Sequence, residues 1–246
     1  MLSRLGLFPP GSQVNDRGHL VIGGCDVVEL AAEFGTPLYL YDEASLRARC
    51  REFRHEFSTR YPGGVTVAYA CKAFINRPLA RLFQEEGMGL DIVSGGEMGI
   101  ARAAGYNPAG VYFAGNNKSD EELREALEWG LGRLVVDNPG ELRRLGTLAV
   151  AAGRTQDILL RLTPGVEPHT HRYITTGNID SKFGIPLSQG AGAIAAALET
   201  PGIRLVGLHF HIGSLIYEVE PYQVSIRYVL ELAAGARERH GFSLQE

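Results

Sequence analysis

A single lysine, Lys72, ends an apolar, β-branched run that begins at Val65. Residues 62–64 (Pro-Gly-Gly) precede the run and a helical pattern follows it, so the run predicts a buried strand with the lysine at its carboxyl end. Proteins of the α/β class place their chemistry at that end of a strand. A desolvated ammonium group loses its proton easily, and the free amine attacks aldehydes. Lys72 is therefore a candidate nucleophile; the alternative is an ordinary lysine that extends from the strand end into solvent.

Polar residues also stand at the ends of the apolar runs that follow. Because the carboxyl ends of parallel strands meet at one edge, we expect these side chains to converge on one site. A lysine, carboxylates, an arginine, two histidines and a Gly-Ser pair suit an anionic aromatic cofactor. The candidates are Lys72, Asp91, Glu97, the turn Gly115–Lys118, Arg161, His209, His211 and Ser214.

Each candidate also has a purely structural interpretation. For Glu97, the alternative is that it only completes the capping box of its own helix. Arg161 alternatively forms an ion pair with Asp91, whose carboxylate is costly to bury alone. His209 and His211 share one face of a strand, because alternate residues do. They are alternatively buried, hydrogen-bonded histidines or metal ligands.

The candidates are positioned by a repeating order of strands and helices. Ser94 with Glu97 and Ser119 with Glu122 predict capping boxes, and Asn138 before a proline predicts another helix start. Gly87, Gly105, Gly130 and Gly241 stand where helices should end. Six apolar runs, most of them about 22 residues apart, predict parallel strands covered by helices. These runs are 65–70, 90–93, 111–114, 134–136, 158–162 and 205–210.

A barrel and a doubly wound open sheet both satisfy this order. No G-x-G-x-x-G follows an early strand, which disfavours a dinucleotide-binding sheet. Counted as a barrel, the chain contains six of the eight strands and then a helix that ends at about His240, followed by a polar tail. We therefore expect the front portion of a barrel over residues 36–246.

Residues 1–35 carry short apolar pieces broken by turns, with an amphipathic segment over 27–34. This pattern predicts an edge contribution to another domain. Leu38–Tyr41 predicts a strand. Asp42 then predicts the N-cap of a helix to about Phe57, with Leu46, Phe53 and Phe57 on its apolar side.

The composition is that of an ordinary globular chain of 246 residues, with 45% hydrophobic and 21% charged residues. A net charge of −4 without a basic run argues against nucleic acid as a partner. Three cysteines in no metal-binding spacing indicate reduced thiols and a cytoplasmic location. Cys71 is expected to be an inert core thiol. No apolar stretch is long enough for a membrane span, and no signal peptide is evident.

Five motifs occur in register along the chain. They are YACKA at 69–73, DIVSGGE at 91–97, GNNK at 115–118, an insert over 163–184 and HFHIGS at 209–214. Together they resemble the diaminopimelate decarboxylase family, a branch of the alanine-racemase-like (fold type III) pyridoxal-phosphate enzymes. The resemblance covers the chain from Gly23 onward, and the insert favours this branch over the ornithine and arginine decarboxylases.

The resemblance implies a (β/α)8 TIM-type barrel, present here to about six strands, joined to a mostly β domain that includes residues 1–35. It implies pyridoxal 5'-phosphate bound to Lys72 as a Schiff base, decarboxylation of meso-diaminopimelate to L-lysine, and a homodimer. The implied roles are His211 flat against the pyridine ring, Ser214 at the phosphate, Arg161 near the phenolate, Asp91, Glu97 and His209 as polar neighbours, and Lys182 near the substrate.

The chain departs from the family pattern at Phe74, where asparagine is usual, and at Leu215, where glutamine is usual. The family's later motifs are a glycine triplet, a Glu-Pro-Gly-Arg phosphate loop, a Cys-Glu-Ser segment and a tyrosine. The triplet, the loop and the Cys-Glu-Ser segment do not occur in these 246 residues, and the family's tyrosine would lie beyond Glu246. We therefore expect the chain alone to bind the cofactor weakly, if at all, and not to turn over.

Three other functions compete with this one. A metal-dependent barrel hydrolase would use His209 and His211, with Asp91 completing the ligand set. A decarboxylase of another basic amino acid would share the cofactor and differ in substrate. A non-catalytic homologue would bind a partner or nothing.

Overall fold

The computed structural model of the chain describes residues 2–165 and 183–246. Two compact units are present. The first consists of Met1–Val67 and Leu82–Met88, and the second of Ala68–Arg81 and Gly89–Glu246. The assignment of residues 1–35 to a β domain, apart from a barrel domain over 36–246, stays a prediction.

The first unit contains a small antiparallel sheet in the order β1-β2-β3 and two helices. The side chain of Asp26 caps α1 through the Val28 N–H at 2.9 Å, and that of Asp42 caps α2 through the Ser45 N–H at 3.2 Å. The predicted N-cap at Asp42 is confirmed. The elements are a 3-10 helix (Leu2–Leu7), β1 (Gln13–Val14), β2 (Leu20–Ile22), β3 (Cys25–Asp26), α1 (Val27–Phe34) and α2 (Glu43–Arg60).

Two expectations for this unit are wrong. Leu38–Tyr41 forms no strand, and the side chain of Tyr39 is 86% exposed. An apolar run becomes a strand only where a neighbouring strand pairs with its backbone groups. The helix α2 continues to Arg60 and leaves Phe53 and Phe57 more than half exposed, so its predicted apolar side is not buried.

The second unit alternates strands with helices. Its elements are β4 (Ala68–Ala70), a 3-10 turn (Cys71–Ala73), α3 (Arg77–Glu85, whose last turn belongs to the first unit), β5 (Gly89–Ile92), α4 (Gly95–Ala103), a 3-10 turn (Pro108–Gly110), β6 (Val111–Phe113), α5 (Asp120–Trp129), β7 (Arg133–Val136), α6 (Pro139–Ala151), β8 (Gln156–Thr163), β9 (Ile185–Pro186), a 3-10 turn (Leu187–Gln189), α7 (Gly190–Glu199), β10 (Ile203–Phe210) and α8 (Glu220–His240).

The strands form one parallel sheet in the order β4-β5-β6-β7-β8-β10, and the short β9 pairs with the end of β8. A doubly wound sheet reverses its strand order at a switch point, whereas a barrel keeps neighbouring strands in chain order. The described strands keep that order, so the prediction of a barrel-type α/β arrangement is confirmed.

The inner strands of the sheet are buried on both faces, whereas the edge strand β4 has no buried residue. Seven of the eight residues of β8 are buried, and the half-buried Asp157 is the exception. One buried cluster consists of Ala114, Val135, Leu159 and Val206, with Tyr112 packed against it. Near-continuous apolar strands are what a parallel sheet covered on both faces requires.

The helix boundaries follow local chemistry. Ser119 and Glu122 form the predicted reciprocal capping box at the start of α5, and Asn138 caps α6 with Pro139 in its first turn. Gly130 and Gly241 end α5 and α8 in the left-handed conformation that glycine tolerates best.

The tail after α8 pairs with β10. The amides of Gln245 and Glu246 donate to the Val206 carbonyl, and the Glu246 carbonyl accepts from the Leu208 amide at 3.0 Å. Glu246 thus forms backbone hydrogen bonds with the residue before and the residue after Gly207, which is the pattern of a parallel ladder. The predicted polar tail therefore pairs with β10. Among the helices in the described ranges, none is long and apolar enough to cross a membrane.

Candidate functional site

Lys72 lies on the 3-10 turn that directly follows β4, at the carboxyl end of the strand as predicted. The prediction of a buried strand from Val65 is wrong: β4 begins at Ala68 and none of its residues is buried, because it is the edge strand of the described sheet. Its side chain is exposed. The strand β4 pairs with β5 so that Ala70 lies opposite Asp91. The sheet register therefore brings the lysine and this carboxylate together.

Asp91 is half-buried on β5. Burial raises the pKa of its carboxyl to about 6; the charge of Lys72 opposes this shift, and the carboxylate of Glu97 adds to it. A carboxyl with this pKa changes its protonation just below neutral pH. The charges of Lys72 and Arg161 favour the ionised form of Asp91, and the charge of Glu97 disfavours it.

Glu97 holds the turn between β5 and α4. Its Oε2 atom accepts a hydrogen bond from the Val93 amide at 2.7 Å, and the Ser94 hydroxyl accepts one from the Glu97 amide at 3.3 Å. A reciprocal box would instead direct the glutamate to the Ser94 amide. The predicted box is therefore half right, because the side chain reaches one residue further back.

Arg161 is buried on β8 and pairs with Asp137, with 3.4 Å between Nη1 and Oδ1. The guanidinium carbon lies 5.3 Å from the centre of the Phe183 ring. Burial lowers the pKa of Arg161, and the carboxylates of Asp137 and Asp91 oppose that shift. The alternative of a direct ion pair with Asp91 is wrong: the partner of Arg161 is Asp137, which directly follows β7, the strand next to β8.

The two histidines are neutral imidazoles at pH 7. Burial and the charge of Arg161 lower the pKa of His209 to about 3, and burial and the charges of Lys72 and Arg161 lower that of His211 to about 4. The Nδ1 atom of His209 is buried and has no hydrogen-bond partner among the described residues. His209 lies opposite Arg161 in the sheet register.

Ser214 is exposed and follows Gly213, whose φ of 134° lies in the region that favours glycine. The next residue, Leu215, has a φ of 58°, which is uncommon for a side chain other than glycine. Lys182, predicted near the substrate, lies outside the described residues.

Three buried charges beside the site have no role predicted from the sequence. They are Lys118, predicted only as part of a turn, Asp137 and Glu141, and all three are at most 3% exposed. Asp137 directly follows β7, so the rule that polar residues at strand ends converge could have found it. Glu141 carries the signal of an acidic residue three positions after the cap Asn138.

These residues suit an anionic aromatic aldehyde. Of the two lysines in the described residues, Lys118 has its ammonium group hydrogen-bonded to three acceptors, whereas Lys72 is exposed. Arg161 adds a second cation, and the neutral His211 can contact an aromatic ring without adding charge. Within residues 2–165 and 183–246, no group of three or more His, Cys, Asp or Glu side chains could hold a metal ion.

Comparisons with known proteins identify the family of the chain. The model of the pyridoxal-dependent decarboxylases, pyridoxal binding domain, matches residues 43–246. The chain belongs to this family, and its cofactor is accordingly pyridoxal phosphate.

The resemblance to diaminopimelate decarboxylase is also confirmed. The enzyme of that name from Halalkalibacterium halodurans is 46% identical over 239 residues, which are 96% of this chain and 54% of the relative. The one from Bacillus subtilis is 45% identical over 235 residues, 94% of this chain and 53% of the relative. The chain thus spans about half the length of the curated relatives that it matches.

A solved structure gives the same result. The diaminopimelate decarboxylase of M. jannaschii in complex with L-lysine superposes with a TM-score of 0.85 at 32% identity, over 96% of this chain and 55% of that one. The lysine/ornithine decarboxylase of Vibrio vulnificus, complexed with putrescine, has a TM-score of 0.69 at 26% identity, over 89% of this chain and 54% of that one.

Proposed function

We propose that this chain forms the cofactor-binding part of an enzyme that decarboxylates meso-diaminopimelate to L-lysine and carbon dioxide. The observation that carries the proposal is an exposed lysine amine, Lys72, at the carboxyl edge of a parallel sheet, where its charge acts on Asp91 and His211. The charge of Arg161 acts on the same two groups. The identity of 41–46% to diaminopimelate decarboxylases supports the choice of substrate. A homodimer and a cytoplasmic location belong to the same proposal and are supported by the resemblance.

The site residues have distinct proposed tasks. The Lys72 amine would hold the cofactor through its aldehyde group. His211 would contact the ring, Arg161 would donate to its phenolate oxygen, and Ser214 would bind the phosphate. When bound, pyridoxal phosphate supplies a ring that accepts the electron pair left behind as a carboxylate departs.

The remaining polar residues shape the environment of the lysine. Asp91 and Glu97 offset the positive charge of Lys72 at the edge of the site. His209 would remain neutral, and its buried Nδ1 atom, which has no partner among the described residues, would be able to form a hydrogen bond. Lys182 is proposed near the substrate on the strength of the motif alone.

The cofactor assignment is tested by covalent labelling. The chain is incubated with pyridoxal phosphate, reduced with borohydride and mapped by peptide mass spectrometry. The sequence contains three lysines, Lys72, Lys118 and Lys182, so the label can be assigned without ambiguity. We expect the label on Lys72 and none on Lys118, whose donors are all engaged. A label spread over surface amines would contradict the assignment.

The reaction is tested separately, with the longest natural form of the protein. L-lysine formation from meso-diaminopimelate is measured beside amine formation from L-lysine and L-ornithine. We expect turnover of meso-diaminopimelate and at least tenfold less of the other two. A protein that turns over ornithine faster has another substrate, and one that requires zinc and no pyridoxal phosphate is the hydrolase instead.

A further inference from the structure

Three buried charges at the carboxyl edge of the sheet have no task in the proposed function. They are Lys118 at the end of the β6–α5 turn, Asp137 at the end of β7 and Glu141 in the first turn of α6. Burial of a charge is costly unless the charge is paired and hydrogen-bonded. Such a cluster next to a site therefore calls for an explanation.

Lys118 is held by three acceptors from three places. Its Nζ atom donates to the Gly115 carbonyl at 2.7 Å, to the Val135 carbonyl at 2.8 Å and to Oε1 of Glu141 at 2.7 Å. All three protons of the ammonium are used. The lysine thus joins the end of β6, the strand β7 and the start of α6.

Glu141 connects Lys118 to the backbone of Asp137. Its second oxygen, Oε2, accepts from the Asp137 amide at 3.1 Å, and its own amide donates to the cap Asn138 at 2.9 Å. The backbone of residue 137 is therefore fixed by a carboxylate that is itself fixed by Lys118. The direction of the Asp137 side chain follows from this arrangement.

The Asp137 carboxylate faces the site. Its Oδ1 atom accepts from the Gly184 amide at 3.0 Å and from Arg161 at 3.4 Å. Gly184 has a φ of +81°, and a Cβ added there would lie 2.8 Å from Oγ1 of Thr163. The same Cβ would lie 3.2 Å from Cγ of Arg161, so the backbone of Gly184 packs closely against the arginine side chain.

We propose that Asp137 is a positioning residue that holds Arg161 at the cofactor ring, and that the Lys118–Glu141 pair orients Asp137 for this task. The inference rests on the proposed function for the role of Arg161. The alternative is a network that only stabilises the turns at this edge.

The test compares Asp137→Ala and Asp137→Asn with a matched control, Asp157→Ala. Asp157 is a half-buried carboxylate at the opposite end of β8, paired with Arg133 at 3.1 Å and with Nη2 of Arg204 at 2.7 Å. The dissociation constant for pyridoxal phosphate is measured by absorbance. The Gly184 amide exchange rate and the Arg161 Nε–H signal are measured by NMR without the cofactor.

We expect Asp137→Ala to raise both the dissociation constant and the Gly184 exchange rate by about tenfold or more, as for the loss of a charge-assisted hydrogen bond. Asp137→Asn keeps a side-chain acceptor, so its dissociation constant and Gly184 exchange rate should lie between those of the wild type and of Asp137→Ala. If Asp137→Ala does not fold, the asparagine variant carries the comparison. Asp157→Ala should leave both quantities at their wild-type values.

A double-mutant cycle with Arg161→Ala separates positioning from stability. Positioning through Arg161 predicts that Asp137→Ala adds little further loss of binding once the arginine is gone. Additive losses, or wild-type binding by Asp137→Ala, would overturn the proposal and leave the proposed function intact. Binding is measured on the longest natural form of the protein, and if that protein binds no cofactor, the proposed function falls. The Arg161 signal then decides whether Asp137 positions the arginine, and the positioning is refuted if Asp137→Ala leaves that signal unchanged.

Discussion

At the scale of single residues, Lys72 and its neighbour Cys71 differ completely in surroundings. Lys72 is exposed, whereas Cys71 is 2% exposed and burial raises the pKa of its thiol to about 12. In the longest natural form of the protein, we expect Lys72→Ala to remove the visible absorbance of bound pyridoxal phosphate and all decarboxylation. Cys71→Ala should retain both and cost about 1 kcal/mol of stability through lost packing. Absorbance and rate measurements on the two variants check this. A coloured, active Lys72→Ala protein would refute the assignment.

Asp91 gives a pH-dependent prediction. Its pKa is about 6 in the folded chain and 3.8 ordinarily, so the folded state binds the proton more tightly between those values. The free energy of unfolding contributed by Asp91 therefore falls as pH rises from about 4 to 6, by at most about 3 kcal/mol. Asp91→Asn mimics the protonated form and should not show this fall.

The measurement is urea unfolding of wild type and Asp91→Asn from pH 4 to 8. His209 and His211 have lowered pKa values and change stability with pH in the opposite direction over the same window, so only the difference between the two proteins isolates Asp91. A difference that does not vary with pH would show that this carboxyl is not buried as described.

At the scale of elements, Glu86 ties α2 to the end of α3 within the first unit. Its carboxylate accepts two hydrogen bonds from Arg51, both at 2.8 Å, and one from Arg47 at 3.0 Å. These arginines lower the pKa of Glu86 to about 2. The stability that the cluster contributes is thus present above pH 4.5 and lost as pH falls toward 2.

Glu86→Gln should lower the free energy of unfolding of this unit at pH 7. Near pH 2 the variant and the wild type should have similar free energies of unfolding. The helicity of both proteins, followed in urea at each pH, measures the effect. Glu52→Gln is the control, because Glu52 forms only an exposed pair with Arg49 on the same helix. Equal behaviour of the two variants at pH 7 would show that the Glu86 cluster contributes nothing.

At the scale of the whole molecule, the second unit depends on a sheet packed on both faces. Leu160 is fully buried in the middle of β8, whose neighbours are β7 and β10. Leu160→Ala should lower the free energy of unfolding by about 2–5 kcal/mol, through lost burial and the cavity that remains. Val150→Ala on the exposed side of α6 should change it by about 0.5 kcal/mol or less. Urea unfolding of both variants compares them directly.

Local patterns of the sequence determined the succession of strands and helices, because caps, glycine stops and apolar periodicity act over a few residues. Asn138, Ser119 and Gly130 behave as their types predict, and Lys72 ends its strand as expected. Motifs also determined the family and hence the cofactor. These signals need no knowledge of the partner across the sheet.

Only the tertiary structure decided which groups meet. It pairs Arg161 with Asp137 rather than Asp91 and leaves Phe53 exposed. It also buries Nζ of Lys118 against three acceptors and Nδ1 of His209 without a partner among the described residues. Such partners depend on strand register and on the packing of elements distant in the chain. A sequence pattern places a residue at a strand end, but the neighbouring strands determine which charge faces it.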